Sequence, residues 1–194
     1  MIKLILSSFF SVSLLLQINA QAIKALQKAS DKSIYVIDPK KKDWVESPVN
    51  LVNTFVGTGG HGHTFPGATA PFGMIQLSPD TRHEGWDGCS GYHYADSVIY
   101  GFSHTHLSGT GVPDYCDLLI VPQSGKEAKI VPGYKDPKGF GSKFTHQSEK
   151  ATPGYYEVFL KDVGIKAQMT ASERAGIHQY TFTREKDKKF ILID

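Results

Sequence analysis

The chain has 194 residues, of which 40% are hydrophobic, and its formal net charge is +2. This length suits a single domain, or one and a half, with a real hydrophobic core. The small net charge, without a basic stripe interleaved with aromatic residues, argues against nucleic-acid binding.

The first 22 residues have the pattern of a secretory signal peptide. Lys3 supplies a positive start, residues 4–16 form an apolar run softened by serines, and Ala20 and Ala22 offer small-residue cleavage sites. The run is too short and too rich in serine for a membrane span. No cysteine lies near the cleavage site, so we expect a secreted or periplasmic protein without a lipid anchor. Residues 23–48 are predicted to be a lead-in or linker.

From residue 49 onward the sequence predicts short β-strands separated by turns. The first candidates are "LVNTFV", "GMIQLSP", "VIYGFSHTHL" and "DLLIVP". Later, "IKAQMTA" alternates, with Ile165, Ala167 and Met169 on one face, and "IHQYTFT" alternates in the same way from His178. Turn residues separate these segments and no long helical pattern occurs. We therefore predict an all-β antiparallel sandwich over residues 49–194.

The sequence ends on "KKFILID", an apolar strand. An uncovered hydrophobic edge strand invites aggregation, and natural domains rarely end on one. We expect the chain to be the front part of a longer protein. The alternative is a strand that completes the sandwich internally.

Three glycine-rich loops carry most of the histidines and aromatic residues. They are "GTGGHGHTFPG", "GWDGCSGYHY" and "SHTHLSGTGVPDYCDL". The first has the glycine spacing of a dinucleotide-binding loop, but residues that break helices follow where that motif requires a helix. Binding residues gather in loops at one end of a rigid sheet. We therefore expect the three loops to form one ligand rim.

Two His-x-His pairs lie in these loops, namely His61 with His63 and His104 with His106. On a strand, residues two apart point to the same side, so each pair could present two imidazoles to one site. Asp114 or Asp117 could complete a metal site, but no spacing diagnostic of a metal site is present. Hydrogen bonding to a polar ligand and ordinary structural roles remain the alternatives.

Trp86 and Asp87 lie in the second loop, between glycines that let the backbone approach closely. A flat aromatic ring beside a carboxylate suits a sugar, because the ring stacks on the apolar face of the pyranose and the charged group binds hydroxyls. A core tryptophan in a loop-rich region is the alternative. Cys89 and Cys116 could pair in an oxidising compartment, or could be buried free thiols.

Several segments together resemble the N-terminal domain of glycoside hydrolase family 92. They are "VNTFVGTGGHGHTFPGATAPFGMIQLSPDT", "GWDGCSGYHYADSVIYGFSHTHLSGTG", "DLLIVP" and "TASERAGIHQYTF". They cover most of residues 49–182 and are specific in combination. Thr54 stands where proline is common in the family, which is a small departure.

The resemblance implies an exported, calcium-dependent, inverting exo-α-mannosidase that acts on mannose-containing glycans. It also implies an N-terminal β-sandwich packed on a C-terminal (α/α)₆ barrel that supplies both catalytic carboxylates and most calcium ligands. No catalytic residue is therefore assigned to this chain. Trp86 matches the position of a substrate-stacking tryptophan. The other expected substrate-binding residues rest on loop chemistry alone, namely Asp87, His61, His63, His104 and His106.

Two other classes of function stay open. One is a stand-alone carbohydrate-binding β-sandwich without hydrolase activity. The other is a histidine-dependent metalloprotein.

Overall fold

A computed structural model describes residues 48–82, 84–133 and 139–194. The predicted signal peptide and nearly all of the lead-in segment lie outside the described residues. Within them, no helix is long and apolar enough to cross a membrane.

The described residues form eleven β-strands and two single-turn 3₁₀ helices, Pro48–Leu51 and His146–Ser148. The strands are β1 (Ala68–Thr69), β2 (Gln76–Asp80), β3 (Val98–Ile99), β4 (Gly101–Ser103), β5 (Ile120–Gly125), β6 (Ser142–Lys143), β7 (Glu149–Thr152), β8 (Tyr155–Leu160), β9 (Ile165–Ala171), β10 (Gly176–Phe182) and β11 (Lys188–Ile193).

Two main antiparallel sheets make up the domain. The first has the strand order β1-β2-β4-β5-β11 and the second has the order β10-β9-β8-β7, while β3 and β6 form a separate pair. β11, which lies within the segment "KKFILID", pairs with β5 over its whole length, from Lys188 opposite Gly125 to Ile193 opposite Ile120. The predicted all-β antiparallel architecture is confirmed.

The core lies between the two main sheets. Leu77 and Phe102 enter it from the first sheet, and Tyr156, Val158 and Met169 enter it from the second. All five side chains are almost fully buried. The alternation predicted for "IKAQMTA" is confirmed, because every second residue of β9 from Ile165 to Met169 is buried.

The strand predicted over residues 51–56 is wrong. Residues 52–58 instead form consecutive tight turns, in which the Val56 N–H donates to the Asn53 carbonyl at 3.3 Å and the Thr58 N–H donates to the Phe55 carbonyl at 3.1 Å. The Asn53 side chain also accepts the Phe55 N–H at 3.0 Å. Asparagine side chains compete in this way for backbone donors and favour turns over strands.

Candidate functional site

The three glycine-rich loops contact one another, as backbone hydrogen bonds between them show. The Gly109 N–H donates to the His63 carbonyl at 2.7 Å, which joins the third loop to the first. The Tyr94 N–H donates to the Thr58 carbonyl at 2.8 Å, which joins the second loop to the first. The sequence separations are long, so this meeting depends on the sandwich beneath the loops.

Trp86 is the centre of this loop cluster and is 55% exposed. The His63 ring meets the indole edge-on, with ring centroids 4.4 Å apart and planes at 84°. The His61 ring lies 5.3 Å away at a tilt of 47°. Gly111 of the third loop approaches so closely that a Cβ there would lie 3.1 Å from the indole Nε1. We call Trp86, His61, His63 and Asp87 the Trp86 rim.

Asp87 is held in the Trp86 rim by His61, whose Nδ1–H donates to the Asp87 carboxylate at 2.8 Å. This hydrogen bond from His61 lowers the pKa of Asp87. The carboxylate therefore stays charged at neutral pH and acts as a hydrogen-bond acceptor. The Nε2 atom of His63 is buried and has no hydrogen-bond partner among the described residues.

The other His-x-His pair does not join the Trp86 rim. The His104 Nδ1–H donates to the Leu118 carbonyl at 3.1 Å, and its Nε2 lies 3.3 Å from Nε2 of His178. His106 is 1% exposed and contacts Asp80, at the end of β2. The two imidazoles of this pair therefore contact different groups and do not face one site.

Asp114 and Asp117 do not complete a metal site with these imidazoles. Asp114 accepts the N–H of Tyr115, and Asp117 accepts the hydroxyl of Thr105. Among the described residues, one group of three side chains could hold a metal ion, namely Asp80, His106 and Cys116. The sequence pattern points to His106 and to Cys116 separately, but it does not point to Asp80, which follows the proline at the end of an apolar strand.

Both cysteines are free thiols. Cys89 is buried, whereas Cys116 is only partly so. The pKa of the Cys116 thiol is raised mainly by burial, and the nearby Asp80 carboxylate raises it further.

A second polar group, missed by the sequence analysis, lies behind the loops. The Glu149 side chain is fully buried and accepts hydrogen bonds from the Tyr92 and Tyr156 hydroxyls and from His146 Nδ1, the last at 2.8 Å. His146 in turn stacks on Tyr94, with ring centroids 3.9 Å apart and planes at 7°. Tyr94 thus connects this interior group to the first loop.

Comparison with known proteins gives a consistent result. The family model for the glycosyl hydrolase family 92 N-terminal domain matches residues 51–194. A curated relative from Arthroderma benhamiae, described as an uncharacterized secreted glycosidase, is 35% identical over 135 residues, which cover 69% of this chain and 17% of the relative.

Solved structures agree with the family match. The family GH92 α-mannosidase BT3965 from Bacteroides thetaiotaomicron, in complex with mannoimidazole, is 49% identical, with a TM-score of 0.71 over 75% of this chain and 19% of its own. The GH92 inverting mannosidase BT2199 from the same species is 31% identical, with a TM-score of 0.64 over 75% of this chain and 19% of its own. The chain therefore spans about a fifth of the length of these relatives.

Proposed function

We propose, from the premise that this chain belongs to glycosyl hydrolase family 92, that it is the N-terminal part of a secreted, calcium-dependent, inverting exo-α-mannosidase. In this proposal the chain supplies substrate-binding loops for α-linked mannosides of glycans. The two catalytic carboxylates and most of the calcium ligands belong to a C-terminal (α/α)₆ barrel. Secretion is supported by the signal-like pattern of residues 1–22 and by the description of the Arthroderma benhamiae relative as secreted.

The observation that carries the proposal is the exposed indole of Trp86 beside a charged carboxylate. A pyranose has an apolar face that stacks on an aromatic ring and hydroxyls that bind charged acceptors. The Trp86 rim offers both, because Asp87 lies next to the indole and is held by His61. We assign this surface to the sugar beside the scissile bond.

Asp87 is a hydrogen-bond acceptor in this mechanism and not the general acid. An inverting glycosidase needs one carboxylic acid with a raised pKa and a second carboxylate about 6.5–9.5 Å away, with room for water between them. The pKa of Asp87 is lowered by its hydrogen bond to His61. A carboxylate that is charged at neutral pH cannot protonate a leaving group efficiently, so Asp87 is not the acid, which in this proposal belongs to the C-terminal barrel.

The group of candidate metal ligands that the described residues bring together does not suit calcium. Calcium takes six to eight oxygen ligands, whereas the one group of three candidate ligands, Asp80, His106 and Cys116, brings a single carboxylate together with nitrogen and sulfur donors. We therefore derive no step through calcium in this chain. In the proposed enzyme, the calcium ligands come mainly from the C-terminal barrel.

The size of the tryptophan contribution follows from its exposure. A tryptophan side chain presents roughly 250 Å², so 55% exposure leaves roughly 140 Å². A sugar covering one face removes about half of this area from water, which is worth about 1.7 kcal/mol. Since about 1.4 kcal/mol corresponds to a tenfold change, Trp86→Ala in the full-length enzyme should lower kcat/KM for α-1,2-mannobiose by about 20-fold.

The experiment compares two substrates and two variants. An activated aryl mannoside depends less on binding of the leaving sugar, so Trp86→Ala should reduce its turnover much less than that of mannobiose. Trp86→Phe keeps a flat ring and should retain most of the activity. Equal losses on both substrates would remove Trp86 from this role. The 194-residue chain alone should not hydrolyse mannobiose, and clear turnover would place the catalytic chemistry within it.

A further inference from the structure

Asp80, His106 and Cys116 form a buried cluster that the proposed mannosidase function does not use. Asp80 and His106 are at most 1% exposed. His106 Nε2 lies 3.0 Å from Asp80 Oδ1 and 3.2 Å from the Ser103 hydroxyl. The candidate ligand atoms of Asp80, His106 and Cys116 all lie within 4.8 Å of one another. None of these residues belongs to the Trp86 rim.

The hydrogen bonds fix which nitrogen of His106 carries a proton. Nδ1 lies 2.7 Å from the Gln76 carbonyl, which can only accept, so Nδ1 must be the donor. In the neutral ring this leaves a lone pair on Nε2, and that lone pair points at the Asp80 carboxylate. Two electron-rich atoms do not lie 3.0 Å apart in a buried site without a cation between them. The cation is either a proton or a metal ion.

Asp80 is held in position for such a cation. Its Oδ2 accepts the Ser103 N–H at 2.8 Å, and its Oδ1 accepts the Ser103 hydroxyl at 3.0 Å. Metal-binding imidazoles have the same arrangement as His106, in which the second ring N–H donates to a backbone carbonyl and the free nitrogen faces the metal.

The backbone of Gly91 packs directly against the three side chains. Gly91 has φ +89°, and a Cβ there would lie 2.8 Å from Cys116 Sγ and 2.9 Å from Asp80 Oδ1. Only glycine, which has no Cβ, lets the backbone approach these side chains so closely. Cys116 also lines a surface cavity of about 320 Å³, which gives access from solvent.

We propose that Asp80 Oδ1, His106 Nε2 and Cys116 Sγ bind a zinc ion. One nitrogen, one sulfur and one oxygen donor suit zinc and do not suit calcium or magnesium. A thiolate and a carboxylate balance the charge of a divalent ion, so the filled site is neutral overall. Binding replaces the thiol proton and the proton between Nε2 and Oδ1, which both leave to solvent. Water or the Ser103 hydroxyl takes the fourth position.

The site would have a structural role. It joins the ends of β2 and β4 to the loop that carries Cys116. That loop also carries Gly111, which packs against the Trp86 indole. Bound zinc would therefore stabilise one side of the Trp86 rim, without depending on the mannosidase assignment.

The test uses the metal-free 194-residue chain titrated with Zn²⁺, and with Co²⁺ as a spectroscopic probe. We expect one equivalent to bind, a thiolate-to-cobalt charge-transfer band, and a rise in Tm of about 5–10 °C at zinc concentrations 100-fold above Kd. Cys116→Ser should abolish the band and weaken binding by at least about 100-fold, since loss of an outer partner alone costs 10–100-fold. Cys89→Ser is the matched control and should keep both the charge-transfer band and the affinity for the metal ion.

Three results would overturn the proposal. They are no stoichiometric binding to the wild-type chain, binding that Cys116→Ser leaves unchanged, and equal loss in Cys89→Ser. If Cys116→Ser fails to fold, the wild-type chain still decides the question. Zinc should then slow alkylation of Cys116, mapped by mass spectrometry, and an unchanged alkylation rate would refute the site.

Discussion

The buried carboxylate of Glu149 allows a sharp test of what stabilises the sandwich. Tyr156 is fully buried and donates its hydroxyl to Glu149, and Tyr92 donates to the same carboxylate at 3.0 Å. Burial raises the pKa of the Tyr156 hydroxyl, so it remains a donor at neutral pH. Tyr156→Phe keeps the ring and removes the donor. Because hydrogen bonds to charged groups contribute about 1.5–3 kcal/mol, we expect the free energy of unfolding to fall by about that amount.

Tyr155→Phe is the matched control, because Tyr155 precedes Tyr156 on β8 and points to the opposite face. Its hydroxyl donates to Glu157, whose side chain is 24% exposed and also pairs with Lys166 at 3.2 Å. Interactions exposed in this way contribute less than about 1 kcal/mol. Urea unfolding of the chain at pH 7 measures both variants, with unchanged m-values.

A Tyr156→Phe variant within about 0.5 kcal/mol of the wild type, or no less stable than Tyr155→Phe, would refute the reasoning. The double variant Tyr92→Phe/Tyr156→Phe should lose more than the sum of the single losses. The double variant leaves the buried Glu149 carboxylate with too few hydrogen-bond donors. The free-energy effects of substitutions within one hydrogen-bond network are not additive.

Further measurements address other parts of the molecule. Burial lowers the pKa of His178 to about 4, so its contribution to stability is complete above the unfolded pKa of about 6.5 and is lost as pH falls towards 4. Between pH 7 and pH 5, the free energy of unfolding of His178→Gln should fall by roughly 1 kcal/mol less than that of the wild type, allowing for solvent screening. An equal pH dependence of the free energy of unfolding in the two proteins would contradict this. Gly67→Ala would place a Cβ 2.2 Å from the Leu77 carbonyl oxygen, and urea unfolding should show a loss of about 2–3 kcal/mol; a neutral effect would contradict the close approach. In the full-length enzyme, Asp87→Asn should raise KM for mannobiose about fivefold with little change in kcat, whereas a fall in kcat by orders of magnitude would make Asp87 catalytic.

The second half of the fold was predictable because its strands have one face in the core. In β9, Ile165, Ala167 and Met169 are buried and their neighbours are not, so the period of two is visible in the sequence. Residues 51–56 have the same apolar character but form turns. The residue that favours turns here is Asn53, because its side chain accepts the Phe55 N–H, which a strand would need for pairing.

The candidate site was predictable only in part, for a similar reason. Residues two apart face the same way only within a strand, and β4 ends at Ser103. His104 and His106 lie beyond that end, so they point to different partners. His61 and His63 also lie outside strands, and both reach Trp86 because the turns of the first loop fold beside the second. No sequence period encodes that placement.

The stacking of Tyr94 on His146 has a consequence for how distant substitutions would act. Tyr94 donates its N–H to Thr58 in the first loop, and His146 donates to the buried Glu149. The loops beside the proposed sugar-binding surface are therefore held in place by contacts that begin in the buried core. Random mutagenesis selected for weakened glycan affinity should therefore recover changes at Glu149 and its tyrosines, far from any sugar, alongside changes at Trp86.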